Sequence, residues 1–332
     1  MKKVQLPSSF GFNLDIKIVA PPGLAGRFLF PPFSVLNARE GEWQARKRAW
    51  IACGIESEIG RGEGANKQSS MALSLAGEFE NHPAHKEQLA NTEEPVAKVD
   101  GLTFRSTGFM AEAMAARGGG TSIFDPVLCE LMYAWFCPEG GQIVDPFAGG
   151  SVRGIVAALM GRAYHGIDLS QKQIDANEEQ REKICPDVKT LKWVCGDSLK
   201  KLKDAPDADF IFSCPPYGNL EKYSDDPADI STMDYDEFIT AYKRIIRHSI
   251  KKLKSDCYAC FIVGDFRDKK TGNYYGFVAD TIKIFQEYGA ALYNDAILVT
   301  CVGSLPIRAG RQFAAGRKLG KTHQNILIFK KG

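Results

Sequence analysis

What most constrains this chain is an alternation that begins at about residue 121. Leu128 to Phe136 reads as an apolar helix, and Gln142 to Val144 as a strand leading into a glycine-rich turn. Val152 to Met160 is helical, Ala163 to Ile167 a strand, and Gln171 to Lys183 a helix. Thr190 to Val194 and Ala208 to Phe212 are strands, Tyr235 to Leu253 a long amphipathic helix, and Cys257 to Val263 a strand. Phe277 to Tyr288 is a helix, Ala290 to Thr300 a strand, and Asn325 to Phe329 a last strand. Strands that alternate with helices pack as a mostly parallel sheet covered on both faces. The expected class is therefore α/β, doubly wound, with ligands at the carboxyl ends of the strands.

Upstream the pattern is weaker. Pro21-Pro22 and Pro31-Pro32 break the start into loops, and Glu40 to Ile51 reads as a helix. Residues 60 to 100 are polar and lack apolar periodicity, so they read as loop or linker. This divides the chain into an N-terminal extension at 1–60, a polar linker or loop at 61–120, and the α/β domain at 121–332. With 44% hydrophobic and 25% charged residues the composition is that of an ordinary soluble protein. No apolar run approaches the roughly 18 residues of a membrane span. Met-Lys-Lys-Val-Gln-Leu-Pro has no apolar stretch behind it and does not read as a secretory signal. The nine cysteines are odd in number and scattered, which suits a reduced, cytoplasmic setting. Cys257 and Cys260 form a C-x-x-C inside a strand pattern, which favours a core strand over a zinc or redox pair. No metal is implied.

Three consecutive strands end in an acid beside glycine. Asp145-Pro146-Phe147-Ala148-Gly149-Gly150 closes the first, Gly166-Ile167-Asp168 the second and Gly196-Asp197 the third. Asp168 lies about 20 residues beyond the glycines, the spacing at which an acid meets ribose hydroxyls in nucleotide-binding α/β folds. A glycine-rich turn alone is equally an ordinary tight connection. This one lacks a Lys-Ser/Thr tail, so a nucleoside ligand without phosphates fits better than a nucleoside triphosphate. A fourth strand ends on Ser213-Cys214-Pro215-Pro216-Tyr217-Gly218. Two prolines stop a ladder, since neither has an N–H to give.

In these residues the chain resembles the S-adenosylmethionine-dependent amino-methyltransferases of DNA, in their phage and prophage form. Asp145-Pro146-Phe147-Ala148-Gly149-Gly150 is similar to the family's Asp-Pro-Phe-x-Gly cofactor loop. Ser213-Cys214-Pro215-Pro216-Tyr217 is similar to its catalytic (Asp/Asn/Ser)-Pro-Pro-(Tyr/Phe) tetrad, and Ser122 to Leu128 to its remaining cofactor segment. The resemblance covers about residues 121 to 332. It implies a seven-stranded sheet with an antiparallel last strand, and S-adenosylmethionine as cofactor. Asp145 and Gly149, with Pro146, Phe147 and Gly150 in the same loop, would line the methionine end. Phe124 and Pro126 would pack near it, Asp168 would bind the ribose and Asp197 would face the adenine amino group. Ser151 replaces a frequent glycine. Cys214 stands where Asp, Asn or Ser is usual.

The implied chemistry explains the prolines. An exocyclic base amino group is a poor nucleophile, and two acceptors aimed at its hydrogens expose the nitrogen lone pair. The first proline's carbonyl, fixed by the rings, can be one acceptor. Tyr217 offers a face for stacking a base flipped from the duplex. A thiol is a weak acceptor, so Cys214 leaves several readings open: a serine-like shape that leans to cytosine, a hydroxyl supplied by Ser213, carbonyls that suffice, or thiolate attack on a pyrimidine. Adenine N6 and cytosine N4 both stand as targets.

Net charge is only +2, so affinity for nucleic acid must come from local patches. Arg308, Arg311, Arg317, Lys318 and Lys321, with Lys330 and Lys331 beyond, form a glycine-bearing basic stretch that reads as a loop for phosphate contacts or as a solvated surface. Trp43, Arg46, Lys47, Arg48 and Trp50 form a second cluster, either a DNA-contacting element or a packing helix. Glu221 to Asp226 could close over the base. The expectation is a cytoplasmic enzyme of a bacterial or phage-infected cell, acting on double-stranded DNA. Its rivals are a methyltransferase of structured RNA and a catalytically silent DNA-binding module. Monomer and homodimer both remain open.

Overall fold

The computed structural model describes residues 24–39, 41–55, 96–99, 102–105, 124–218, 226–300 and 305–332. In chain order these form α1 (Leu24–Phe28), β1 (Val35–Asn37), α2 (Glu42–Ala52), β2 (Val96–Val99) and β3 (Leu102–Arg105). Next come α3 (Pro126–Phe136), β4 (Gln142–Asp145), α4 (Val152–Leu159), β5 (Ala163–Asp168), α5 (Gln171–Ile184) and β6 (Leu191–Cys195). The remainder is α6 (Ser198–Lys201), β7 (Ala208–Ser213), α7 (Tyr235–Lys252), β8 (Leu253–Val263), α8 (Phe277–Glu287), β9 (Ala290–Val299), α9 (Leu305–Gly316) and β10 (His323–Lys331).

Two compact units divide these residues. One holds 24–55, 124–300 and 323–332, and the other holds β2, β3, α9 and the chain up to Thr322. The first unit is built on an eight-stranded sheet in the order β1-β9-β10-β8-β7-β4-β5-β6. β10 runs antiparallel to both its neighbours, and the other pairs are parallel. The class is α/β with a mostly parallel sheet. There are eight strands rather than seven because β1, from the N-terminal segment, adds to the outer edge of β9, pairing Leu36 with Leu298.

Alternation along the central strands builds two cores. Phe210, Phe212, Cys260 and Ile262 face one side with Trp43, Trp50, Tyr133 and Ile155. Ile211, Ala259, Phe261 and Val263 face the other with Phe238, Tyr242, Phe277 and Phe285. Successive side chains of a strand point to opposite faces, so a sheet covered on both sides needs an almost unbroken apolar run. Phe210-Ile211-Phe212 is such a run, and all three are fully buried.

Local chemistry sets the helix starts. Asp125 accepts from Val127 N at 3.0 Å with Pro126 at the first helical position. Asp234 accepts from Glu237 N at 3.0 Å and opens α7, which ends on Lys251 and Lys252. Both patterns satisfy orphan N–H groups and suit the helix dipole.

α2 is a packing helix. Trp43 and Trp50 are buried, and their indole N–H groups donate to Asp125 and Glu130 of the α3 start. Arg46 pairs with Glu130, and Lys47 with Asp125 at 3.1 Å. Only Arg48 of that cluster is exposed. β8 contains Cys257 and Cys260, both free thiols. The stretch read as a basic loop is instead helical over Leu305–Gly316. Its leucine, alanine, arginine and glutamine content favours a helix enough to absorb Gly310.

Candidate active site

Asp145, Asp168 and Asp197 come from three adjacent parallel strands. Asp145 pairs with Gly166 across β4–β5, and Asp168 with Cys195 across β5–β6. All three acids therefore emerge at the same edge of the sheet. The loops behind them are laced together. Ala148 N donates to Ile167 O at 2.9 Å, Gly196 N to Asp168 O at 2.8 Å, and Ser198 Oγ to Pro146 O at 2.6 Å.

β7 lies on the other side of β4, with Val144 opposite Ile211. Ser213 and the proline pair thus leave the sheet at that same edge. The two loops meet directly, since Ser213 Oγ donates to Asp145 Oδ1 at 2.5 Å. Asp145 is fully buried and takes four donors. Phe147 N (3.0 Å) and Ser213 share Oδ1, while Arg153 Nε (2.6 Å) and Tyr164 OH (2.7 Å) share Oδ2. Its contacts all run inward, and the hydroxyl hydrogen of Ser213 is already committed.

Sequence reasoning missed Arg153. It is buried in α4, donates also to the carbonyls of Phe147 and Ala148 (the latter at 2.7 Å), and lies 4.6 Å from the centroid of the Phe124 ring. Burial by itself would lower its pKa, but the Asp145 carboxylate outweighs that and raises it. One charged residue inside Val-Arg-Gly-Ile-Val-Ala-Ala-Leu was the available signal, because a lone charge on an apolar helix must be paired. Phe124 stands between the Arg153 guanidinium and β7, packing edge-on against Phe212 at 5.6 Å. Pro126 is buried at the head of α3.

Gly149 adopts φ +51°, a left-handed conformation that glycine tolerates best. Its N–H donates to Asp168 Oδ2 at 2.9 Å, and its carbonyl accepts from Asn177 Nδ2 at 2.7 Å. Asp168 Oδ1 accepts from Ser170 N at 2.9 Å. Each oxygen of Asp168 therefore has one backbone donor and acceptor capacity left. Burial raises its pKa, and the N–H groups of Ser170 and Gly149 pull part of the way back. Asp197 caps α6 through Leu199 N at 2.9 Å. Ser151 Oγ, behind Gly150, is buried with no hydrogen-bond partner.

In the second loop Pro215 is buried, while Pro216, Cys214 and Tyr217 are half-buried. Cys214 Sγ lies 3.9 Å from Tyr217 OH. The phenol is held from β10, where Gln324 Nε2 donates to it at 2.9 Å, and the Tyr217 ring meets Phe277 at 6.3 Å. Gln324 is a second residue the sequence did not reveal.

The basic residues expected at the nucleic acid fall in the other unit, where Arg311, Arg317 and Lys318 are exposed and Lys321 is half-buried. The side chain of Arg308 and residues 219–225 lie outside the described residues. Lys331 caps the carbonyls of Ile250 and Leu253, and Lys330 pairs with Asp256 at 3.1 Å, so both serve the fold. Among the described residues no group of His, Cys, Asp or Glu could hold a metal ion, and no helix is long and apolar enough to cross a membrane.

No family model matches the chain, and no curated protein does. Solved structures are similar to parts of the chain. TrmN from Thermus thermophilus matches at 14% identity and a TM-score of 0.43, over 69% of this chain and 54% of that one. Magnesium protoporphyrin IX methyltransferase from Synechocystis PCC 6803, solved with bound SAM, matches at 13% and 0.41, over 68% and 92%. Another Thermus thermophilus protein, provisionally named a DNA modification methylase, matches at 19% and 0.31, over 41% and 50%. This chain thus spans about half the length of the first and third. Identities and scores this low carry nothing about substrate. They accompany an α/β fold whose mostly parallel sheet gathers two unusual turns at one edge.

Proposed function

We propose that the protein is an S-adenosylmethionine-dependent DNA methyltransferase that modifies the exocyclic amino group of a flipped adenine (N6) or cytosine (N4). The observation that carries this reading is the shared edge: the glycine turn after β4 and the proline pair after β7 leave neighbouring parallel strands together, joined through Ser213 and Asp145.

The residues present fit the cofactor. Asp168 keeps acceptor capacity for a ribose diol, and Asp197 sits one strand further along. The orphan hydroxyl of Ser151 marks a polar position at the glycine turn that the protein itself leaves unanswered. Gly149 and Gly150 offer backbone without side chains. When bound, S-adenosylmethionine supplies an electrophilic methyl group on a sulfonium.

The chain's own part is positioning. Pro215 fixes its carbonyl as an acceptor for one hydrogen of the target amino group, which draws the nitrogen towards tetrahedral geometry. Tyr217 presents a ring for stacking, worth roughly 1–3 kcal/mol per base. Gln324 and Phe277 hold that ring in place, so its orientation is set before a base arrives. Ser213 is committed to Asp145, and Cys214 Sγ lies 3.9 Å from the Tyr217 phenol. Orienting the two reactants accounts for much of the rate expected of such a site.

The test is incubation of the full chain with labelled S-adenosylmethionine and unmethylated phage DNA, followed by nucleoside mass spectrometry. N6-methyladenine or N4-methylcytosine is expected. Label in RNA with none in DNA would overturn the DNA assignment, and cofactor binding without transfer to either would overturn the enzyme. Tyr217→Ala should abolish transfer without unfolding the protein, with a thermal midpoint lower by a few degrees because the half-buried ring loses its contact with Phe277 and the hydrogen bond from Gln324. Full activity in that variant would remove Tyr217 from the site.

A further inference from the structure

A preformed hairpin follows β8, the strand beside β7. Gly272 N donates to Asp268 O at 2.8 Å, Asp268 N to Asn273 O at 2.9 Å, and Tyr275 N to Phe266 O at 3.1 Å. Arg267 and Tyr274 pair across it in antiparallel fashion. Asp268 closes the turn by accepting from Lys270 N (2.8 Å) and from the Thr271 hydroxyl (2.9 Å).

The root of this hairpin touches the proline loop. A Cβ on Gly218, the residue after Tyr217, would stand 2.7 Å from the Phe266 ring. Phe266 is buried, and Tyr275 stacks on Tyr235 at 4.2 Å, so the hairpin is anchored by aromatic packing.

Its outer part has the opposite character. Lys269, Lys270, Thr271, Asn273 and Tyr274 are exposed. The Arg267 guanidinium lies 3.7 Å from the centroid of the Tyr274 ring, and Arg267 also donates to Gly272 O at 2.9 Å. Acids lie along the hairpin and beside it. Asp265 accepts from Val278 N, Asp268 holds the turn and Asp234 caps α7, while Asp236 lies in the first turn of that helix. The Asp268 carboxylate, kept ionised by the N–H of Lys270, sits inside the turn, while Arg267, Lys269 and Lys270 outnumber Asp265 and Asp268 along the hairpin and stand beside a flat aromatic surface, the combination that meets phosphates and stacks on bases or sugars.

We propose that residues 265–275 form a DNA-contacting hairpin, with Lys269 and Lys270 against phosphates and the Arg267–Tyr274 pair against a base or sugar beside the target nucleotide. The inference rests on the DNA reading above and adds the element that grips the strand next to the proline loop. Nothing in the sequence singled it out, because Arg267 and Tyr274 become one surface only when the hairpin closes.

The test is fluorescence anisotropy of a labelled mixed-sequence duplex against a series of salt concentrations, with cofactor affinity by calorimetry as the folding control. Lys269→Ala/Lys270→Ala should make the slope of log K against log salt shallower by about 2, at about 0.9 per phosphate. Tyr274→Ala should weaken binding roughly 5- to 150-fold, and Tyr274→Phe should retain most of it. Cofactor affinity should not move in any of them. If the unaltered protein methylates and binds DNA while these variants keep its affinity and salt slope, the hairpin assignment is overturned and the DNA reading stands. If the unaltered protein neither binds nor methylates DNA, the DNA reading itself is overturned.

Discussion

Asp145, named from a motif, is held on both oxygens by the protein itself. Its two oxygens take Phe147 N, Ser213, Arg153 and Tyr164, and the residue is fully buried. Removing one partner of such a pair strands the other charge, at about 3–5 kcal/mol. Arg153→Met should therefore lower stability by about that amount, read as a drop in the urea midpoint at unchanged slope. A loss below about 1 kcal/mol, the scale of an exposed pair, would show the pair to be exposed in solution. Asp168 calls for a pH experiment. Burial holds its carboxyl above the ordinary 3.8. Between that value and the raised one the unfolded chain has released its proton while the folded chain keeps it, so stability of the free protein falls as pH rises through the window. Binding of a ribose diol follows the opposite sense, since the ionised carboxylate is the better acceptor. Stabilisation by S-adenosylmethionine should shrink as pH falls through the raised value. A thermal shift that stays constant across that window would remove Asp168 from the binding site.

At the scale of elements, the proline loop depends on how tightly it sits against its neighbours. Gly218 has φ +50° and almost touches Phe266. Gly218→Ala meets both obstacles, backbone strain of about 1–2 kcal/mol and a ring that must move. We expect a thermal midpoint lower by several degrees and a loss of methyl transfer larger than the loss of cofactor affinity, because the loop displaced is the one after β7. Equal losses in both would place the strain elsewhere. Legibility is also uneven among the elements. Central strands such as β7 declared themselves through unbroken apolar runs. α2 declared itself as a helix but not its role, because Trp, Arg and Lys on one helix suit a nucleic-acid surface and a docked, ion-paired face alike. Its partners Asp125 and Glu130 lie about 80 residues away in the chain. α9 was misread as a loop because two glycines outweighed the helix formers around them.

On the scale of the whole molecule, the N-terminal segment completes the sheet that carries the site. β1 extends its edge and α2 covers α3. Trp50→Ala should cost about 3–5 kcal/mol for a buried tryptophan. Unfolding followed by fluorescence and by far-ultraviolet circular dichroism should coincide, since β1 hydrogen-bonds into the common sheet. An early, separate transition of the N-terminal segment would sink that prediction.

The α/β class and the carboxyl ends of the central strands β4 to β8 were determined by the sequence alone, because glycine, proline and alternating apolar side chains act over a few positions. Where the acids point was decided only by the tertiary structure. Asp145 turns inward to Arg153 and Ser213, Tyr217 takes its bearing from Gln324 107 residues on, and Arg267 joins Tyr274 across a turn. Hydrogen bonds and ring contacts between distant residues depend on the packing of whole strands, which no local pattern encodes.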